Sequence, residues 1–415
     1  MRDTRALRRI MTIAVAASVA VSVMVAGYAT AEPRGPWLGV SQLKVPQQAP
    51  APLLHSSIPT GSEAVTIAQP LVITAAAGTL STVTVTDADG QPLGGTLSAD
   101  RTRWISQPLA YDTRYTATAT GTGVGGRPAA PLTSTFHTVK PASLLEVDAF
   151  RPSQGQVVGV AMPISIYFNQ PVTDKAAVER QLTVTPSVPT EGSFHWVGDN
   201  QVNWRPKEFW TAGTTVTVSS TLRGVDAGSE TFGAEDDVLR FTIGHSHEAV
   251  GDTAKHVLML YSDGQLVRTM PASFGSPRYP TEAGMHVAFE KHLTERMRSD
   301  SWGGPKRGEP GFYDEVLPLA VRISANGEYI HVNGATVAQQ GRVNVSHGCV
   351  NLSPANGRLF YDWVQVGDPV DIVNSTRPLT TGEGDISDWL IPWSDYRAGS
   401  ALPLPPLLGL APQYH

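Results

Sequence analysis

The sequence predicts a mainly β protein built from several domains in a row. A chain of 415 residues is longer than one ordinary domain, and about two to four domains are expected for this length. Glycine and proline are frequent, at 39 and 32 residues, and short threonine- and valine-rich runs lie between them. Short alternating runs separated by such turn residues are typical of β-sandwiches.

Composition narrows the classes of function. Hydrophobic residues make up 41% of the chain, which is enough to build several buried cores. Charged residues reach only 16% and the net charge is −6, so the chain lacks the basic character expected of a nucleic-acid-binding protein. We find no zinc-finger or helix-turn-helix pattern, and we predict neither a cofactor nor a metal.

Residues 1–31 are predicted to be a signal peptide or a membrane anchor. Four arginines precede an apolar run over residues 10–29, and the small residues Ala29-Thr30-Ala31 then offer a cleavage site. An uncleaved anchor is the alternative, because about 20 apolar residues can span a bilayer. Under either alternative the rest of the chain is exported. Residues 32–55 contain several prolines and are predicted to be a linker.

Two similar β-modules are predicted to follow, over residues 56–140 and 141–245. Each contains a tryptophan strand (Trp104 or Trp204), then a proline, an aromatic residue and a Thr/Val strand. This repeated order indicates two tandem immunoglobulin-like β-sandwiches, and neither has the cysteine pair of antibody domains. We expect the two tryptophans to anchor the cores, and we expect a helical turn or two within residues 174–180.

A third, mostly β domain is predicted over residues 246–375. Strand-like runs there alternate with long glycine-rich loops that contain several histidines. One short helix is expected over residues 354–364, because Ser353 suits the N-cap and Pro354 the first helical position. Three side chains are expected on one face of this helix: Leu359, Phe360 and Trp363. The C-terminal extension, residues 376–415, is expected to pack on earlier domains.

The only cysteine of the chain, Cys349, lies in a loop that leads into this helix. A thiol becomes a nucleophile when a neighbouring imidazole takes its proton, and His331 ends a strand-like run upstream. We therefore predict Cys349 as the nucleophile and His331 as its general base, oriented by the backbone carbonyl of Val332. Gly348 lets the backbone approach a substrate closely, and the backbone N–H of Cys349 is a natural donor to an oxyanion.

Other interpretations of the same residues remain open. His347 immediately precedes the Gly-Cys pair and competes for the role of base, or else orders the loop through hydrogen bonds. Ser346 and Asn351 are expected to hydrogen-bond the loop backbone. Cys349 is alternatively a buried structural thiol, or it joins His331 and His347 in a metal site, for which no fourth ligand is evident.

These residues closely resemble the active-site signature of bacterial L,D-transpeptidases, a histidine followed at a distance by Ser-His-Gly-Cys-x-Asn. His331 and the run from Ser346 to Asn351 match that signature. The order of parts is similar too, with a signal segment, two immunoglobulin-like modules, a catalytic domain and a tryptophan-rich tail. Val332 departs from the serine that often follows the histidine in that family, although a role for its backbone carbonyl is unaffected.

The resemblance implies a mostly β catalytic domain that acts on peptidoglycan stem peptides. The cysteine would attack the third stem residue of a donor tetrapeptide, D-alanine would leave, and the amine of an acceptor stem would resolve the thioester into a 3→3 cross-link. Carbapenems would acylate the same thiol. The segment 297–303 resembles the family's lid, and Tyr313 matches a tyrosine near its oxyanion hole. The substrate-binding residues are then predicted to be Met297, Trp302, Tyr313, Ser346 and Asn351.

Two other functions remain open at this point. In an L,D-carboxypeptidase, water resolves the same thioester; in a non-catalytic wall-binding protein, the sandwich modules act only as spacers. Basic residues around the lid are expected either to form a positively charged mouth for the anionic stems or to be simply solvated. They are Lys291, Arg296, Arg298, Lys306 and Arg307.

Overall fold

The computed structural model describes residues 51–381 and 387–403, so the predicted targeting segment lies outside it. The first domain contains eight strands: β1 (Leu53–Ser56), β2 (Ser62–Val65), β3 (Val72–Ala76), β4 (Gly78–Asp87), β5 (Gly95–Leu97), β6 (Arg103–Ser106), β7 (Arg114–Gly123) and β8 (Leu132–Thr138). They form two four-stranded sheets, in the orders β1-β3-β6-β5 and β2-β8-β7-β4. Strand β1 begins at Leu53, inside the region predicted as linker.

Alternation along the strands explains how this sandwich closes. In β7, Tyr115, Ala117 and Ala119 are buried and the residues between them are not, because successive side chains of a strand point to opposite faces. Trp104 is 7% exposed and lies in the same core as Phe136, as the sequence predicted. The apolar face of each sheet therefore covers that of the other.

The second domain is a sandwich of similar design. Its elements are β9 (Ser143–Leu145), β10 (Val147–Arg151), β11 (Val157–Val158), β12 (Ile164–Phe168), α1 (Lys175–Glu179), β13 (Leu182–Pro186), β14 (Gly192–Val197), β15 (Gln201–Pro206), β16 (Thr215–Thr221), β17 (Thr231–Gly233) and β18 (Asp236–Ile243). The sheets have the orders β10-β12-β15-β14 and β11-β18-β16-β13, with β9 and β17 as a separate pair. Trp204 is buried and stacks on Trp210 at 5.1 Å between ring centroids, which confirms its predicted core position.

The third domain contains two sheets and one helix. Its elements are β19 (His247–Asp252), β20 (Val257–Ser262), β21 (Gln265–Pro271), β22 (Glu282–Val287), β23 (Glu290–Arg298), β24 (Asp314–Arg322), β25 (Tyr329–Val332), β26 (Val350–Leu352), α2 (Pro354–Trp363), β27 (Pro369–Val373) and β28 (Arg377–Pro378). The larger sheet has the order β21-β20-β19-β27-β22-β28, and the smaller has the order β23-β24-β25-β26. The predicted mainly β fold is therefore confirmed. Within the described residues, no helix is long and apolar enough to cross a membrane.

Helix α2 follows the sequence closely at its start. The Ser353 hydroxyl accepts a hydrogen bond from the Asn356 N–H at 3.3 Å, and Pro354 occupies the first turn. Phe360 is buried in the core of the domain, but Leu359 is 44% exposed, so the prediction that these two side chains share one face is wrong. Neighbouring side chains of a helix point about 100° apart, so when Phe360 packs into the core, Leu359 points toward solvent.

The C-terminal segment packs on the second sandwich through one buried arginine. The guanidinium of Arg205 lies 4.6 Å from the ring of Trp389, 5.1 Å from Trp393 and 4.4 Å from Tyr396. It also donates to the Ile391 carbonyl at 2.9 Å. Trp393 opens a last helix, α3 (Trp393–Ala398). Aromatic faces and carbonyls thus take the place of water around this cation.

The second sandwich and the third domain meet at a buried carboxyl group. Asp368 accepts a hydrogen bond from the Gln365 N–H at 2.7 Å and lies 3.8 Å from His247. A Cβ atom on Gly159 of the sandwich would lie 2.2 Å from Asp368, so only glycine allows this contact. Burial raises the pKa of Asp368 to about 7, against the opposing effects of the Gln365 hydrogen bond and the charge of Lys291.

Replacing this group with asparagine should stabilise the protein increasingly as the pH rises. In the unfolded chain the carboxyl ionises near 3.8, whereas in the folded protein it keeps its proton until about 7, so wild-type stability falls across that interval. Asp368→Asn should raise the free energy of unfolding by on the order of 1–4 kcal/mol at alkaline pH and little at acidic pH. Urea unfolding followed by tryptophan fluorescence measures this, with the exposed Asp395→Asn as control. An equal effect at both pH values would contradict it.

Candidate active site

The site is organised by two neighbouring parallel strands, β25 and β26. His331 lies opposite Asn351 in this pairing, and Cys349 directly precedes β26. Because residues two apart in a strand share a face, Cys349, Asn351 and His331 point to the same side. All three line one cavity of about 170 Å³. The pairing thus brings the predicted nucleophile and base into a common space.

The rest of this cavity comes from the β23–β24 hairpin and the loop before Cys349. The other lining residues are Met297, Tyr313, Glu315, Leu317, Asn333, Thr336, Val345, Ser346 and His347. A second cavity of about 220 Å³ also reaches Cys349, and its walls include Tyr279, Trp302, Glu328 and Arg377. The thiol therefore borders two cavities.

His331 is buried and held in a single tautomer. Its Nδ1 lies 3.0 Å from the Val332 carbonyl oxygen, which can only accept, so Nδ1 carries the hydrogen and Nε2 has a free lone pair. Burial lowers the pKa of His331 to about 4, against the raising effect of the Val332 hydrogen bond. At neutral pH the ring is uncharged and able to accept a proton at Nε2.

Cys349 is also uncharged at rest. Its thiol donates weakly to the Gly327 carbonyl, 3.8 Å away. Burial raises the pKa of Cys349 to about 12, and the backbone N–H of Tyr329, which lowers it, does not offset this rise. The pair therefore rests as thiol and neutral imidazole. Its reactivity depends on moving the proton as the sulfur attacks.

Two small residues, Gly348 and Ser346, shape the loop before the cysteine. Gly348 has a φ of +130°, and an added Cβ would lie 3.1 Å from a carboxylate oxygen of Glu328, so a side chain there is strained and crowded. The Ser346 hydroxyl donates to the Cys349 carbonyl at 2.6 Å and accepts from the Gly348 N–H at 3.1 Å. Ser346 is thus used mainly to close the loop.

Asn351, unlike Ser346, has a side-chain hydrogen-bond acceptor that no described residue uses. It is 2% exposed, and its backbone N–H and carbonyl pair with Ser273 at 2.8 and 3.1 Å. Its side-chain oxygen is buried and has no hydrogen-bond partner among the described residues. A buried polar atom of this kind favours a ligand that supplies the missing donor.

Thr281 is a functional candidate that sequence reasoning missed. Its hydroxyl donates to the Gly348 carbonyl at 2.6 Å and accepts from the Gly275 N–H at 2.8 Å. The C=O and N–H of a planar peptide bond point in opposite directions, so holding the Gly348 carbonyl aims the Cys349 N–H. No spacing in the sequence links Thr281 to the cysteine loop; only the chain path through the fold does.

His347 contacts the lid, the segment 297–313 that contains the predicted lid residues and ends at Tyr313. Its ring centroid lies 4.9 Å from that of Tyr279, 5.1 Å from Tyr313 and 6.4 Å from Trp302. The Trp302 indole N–H donates to the Tyr313 hydroxyl at 2.8 Å. Burial raises the pKa of Tyr313 to about 12, so its O–H stays protonated and able to donate. The lid and the cysteine loop therefore share one aromatic cluster.

The expected basic mouth does not lie at the thiol. None of the five basic residues predicted for it lines either cavity that reaches Cys349. Arg296 pairs with Asp314 at 2.8 Å, and Arg298 with Asp300 at 2.6 Å. Lys291 donates to a backbone carbonyl of residue 364 at 2.6 Å.

In the part of the chain that the structure describes, no three His, Cys, Asp or Glu side chains are placed to hold a metal ion.

Comparison with known proteins gives the site its context. Residues 246–372 match the L,D-transpeptidase catalytic domain, and residues 62–226 match the bacterial Ig domain. L,D-transpeptidase 2 of Mycobacterium tuberculosis is 38% identical to the chain over 351 residues, covering 84% of the chain and 85% of that protein. The chain belongs to the L,D-transpeptidase family.

Other members show the same relationship. L,D-transpeptidase 5 of Mycobacterium tuberculosis is 36% identical over 375 residues, covering 88% of the chain and 81% of that protein. An L,D-transpeptidase structure in complex with imipenem is 37% identical, covering 55% of the chain and 98% of its own, with a TM-score of 0.48. An L,D-transpeptidase structure from Mycobacterium smegmatis is 36% identical with the same coverage and a TM-score of 0.46.

Removing the Thr281 hydroxyl should impair only reactions that form an oxyanion. Thr281→Val leaves the Gly348 carbonyl without its donor, so the Cys349 N–H loses alignment and acylation by p-nitrophenyl acetate should slow about tenfold. This is less than the roughly 10²–10³-fold expected for deleting an oxyanion donor outright. Alkylation by iodoacetamide, which forms no oxyanion, should change little, and Thr281→Ser should behave as wild type. Equal slowing of both reactions would indicate a merely structural role.

Proposed function

We propose that this protein is a peptidoglycan L,D-transpeptidase that forms 3→3 cross-links through a thioester on Cys349. Membership of the L,D-transpeptidase family supports transpeptidation as the class of reaction. The mechanism rests on one observation, the common cavity in which the Cys349 thiol and the neutral His331 imidazole lie on the same side of paired strands. The nucleophile and the base that a thioester mechanism needs are then supplied by Cys349 and His331.

In the first half-reaction, the Cys349 sulfur attacks the carbonyl carbon of the third stem residue in a tetrapeptide donor. His331 Nε2 takes the thiol proton as the C–S bond forms, which requires the thiol to turn from Gly327 toward His331. The backbone N–H of Cys349 and the O–H of Tyr313 are the proposed donors to the oxyanion. The C–N bond then breaks, and D-alanine leaves with the proton that His331 returns.

In the second half-reaction, the side-chain amine of an acceptor stem attacks the thioester carbonyl. A C–N bond forms, the C–S bond breaks, and a proton from the amine returns through His331 to the sulfur. Asn351 and Met297, which line the cavity, and Trp302 of the lid are the proposed contacts to the two stems. His347 is proposed to hold the lid against the cysteine loop rather than to act as the base.

The same thiol is proposed to open the ring of carbapenems. Imipenem is bound in the structure of one relative. On Cys349, the sulfur would add to the β-lactam carbonyl and the ring C–N bond would break, leaving a thioester adduct.

We propose that the protein acts outside the cytoplasm, in the periplasm or cell wall, because its proposed substrate is there and residues 1–31 are a predicted targeting segment.

Intact-mass spectrometry with a tetrapeptide donor tests this function. Wild-type enzyme should form a covalent adduct that lacks D-alanine and should then release a cross-linked dimer. Cys349→Ala should form neither, and His331→Ala should slow acylation by about 10²–10⁴-fold, the usual loss when a general base is removed. His137→Ala, in the first sandwich, is the matched histidine control and should act as wild type.

Two results would count against the proposal. Dimer formation by Cys349→Ala would remove the cysteine from the mechanism. Release of hydrolysed tripeptide alone, at any acceptor concentration, would make the protein an L,D-carboxypeptidase. Unchanged unfolding midpoints for both site variants are needed to exclude loss of the fold.

A further inference from the structure

The β23–β24 hairpin presents two chemically different faces. Met297 lies opposite Glu315 in the pairing, and both line the cavity that contains Cys349 and His331. On the other face Arg298 lies opposite Asp314, and Arg296, two register pairs along, forms an ion pair with Asp314. Alternation along the strands thus keeps the arginines away from the cavity and turns one carboxylate into it.

Glu315 is the only formally charged side chain on the walls of this cavity in the part of the chain that the structure describes. It is exposed to solvent, and it forms no ion pair with any lysine, arginine or histidine of residues 51–381 and 387–403. Burial lowers the pKa of both histidines of the cavity, His331 and His347, although the charge of Glu315 itself raises that of His347. Within the described residues, the walls of this cavity therefore carry one negative charge, that of Glu315, and no lysine or arginine.

We propose that Glu315 binds the ammonium group of the acceptor stem and so selects an amine over water in the second half-reaction. This inference rests on the proposed transpeptidase function. The acyl-enzyme carries an uncharged thioester on Cys349, so the arriving amine brings the positive charge. An alkyl amine has an ordinary pKa of about 10.4 and arrives protonated. The Glu315 carboxylate holds it at the cavity, where it loses one proton to solvent before its lone pair attacks; the second proton leaves on attack and passes through His331 to the sulfur.

The location of Glu315 favours the acceptor over the donor. The donor carbonyl must reach the sulfur of Cys349, which lies among Tyr313, Leu317 and Met297 in the half-buried part of the site. Glu315 is exposed on strand β24 and lines the cavity of Cys349, so it is accessible to a second molecule after the acyl group is in place. A carboxylate there raises the local concentration of a cation without touching the thiol.

The test measures the two half-reactions separately in Glu315→Gln. The acyl-enzyme is formed with a tetrapeptide donor and then resolved either by an amine acceptor stem or by hydroxylamine, which is uncharged at neutral pH. We expect acylation and resolution by hydroxylamine within about twofold of wild type, and aminolysis by the stem about three- to tenfold slower, as for the loss of a partly solvated charge pair. Added salt should slow stem aminolysis in the wild type and not in the variant.

Asp314→Asn is the matched control, because it removes a carboxylate one residue away on the opposite face and should leave both half-reactions unchanged. Equal aminolysis in Glu315→Gln and wild type would overturn the inference. So would slower acylation in the same proportion, which would assign the carboxylate to the donor. A wild-type enzyme that is acylated but never aminolysed would instead end the transpeptidase proposal, and this inference with it.

Discussion

The site depends on the parallel hydrogen bonds between two short strands, β25 and β26. Each strand is only three or four residues long, yet their register sets which side chains of distant parts of the chain face each other. His331 comes from a strand buried on both sides, and Cys349 comes from the loop entering the next one. A shift of one residue in this pairing would turn one of the two away from the cavity.

Burial then decides the charge state of the pair. The surroundings that remove water from Cys349 and His331 favour the neutral forms of both, so the protein does not store a thiolate next to an imidazolium. The Val332 carbonyl fixes the ring by its hydrogen bond and adds no full charge. Hydrogen bonds from neutral groups, including Thr281 and Ser346, hold the cysteine loop in the same way. The site is thus preorganised mainly by uncharged groups, and charge appears only during reaction.

The fold could be predicted largely because its signals are local. Alternating strands between turns, and the buried Trp104 and Trp204, are properties of short segments that the sequence displays directly. The start of α2 was predictable for the same reason, since Ser353 caps the backbone next to it. The exposure of Leu359 was not, because Leu359 and Phe360 are adjacent apolar residues about 100° apart on the helix, and only the packed core decides which of them is buried.

The site could be predicted only where its residues form a motif. The motif contains Cys349 and His331, which the structure brings into one cavity. Thr281 has no sequence signal, because its contact with the cysteine loop arises from chain topology. The sequence could not decide whether the basic residues around the lid form a charged mouth or are solvated, because a cluster of positive charge in the sequence does not reveal which face of a hairpin each side chain takes. The ion pair of Arg296 with Asp314 became visible only with the strand register.

The protonation state of His331 tests this account most directly. With ¹⁵N-labelled histidine, NMR should show a neutral His331 ring at pH 7, protonated at Nδ1, that titrates with a pKa of about 4. The spectrum of this ring should be the same in Cys349→Ala. A positively charged ring at pH 7 that becomes neutral when the cysteine is removed would show a resting thiolate–imidazolium pair and would contradict the account.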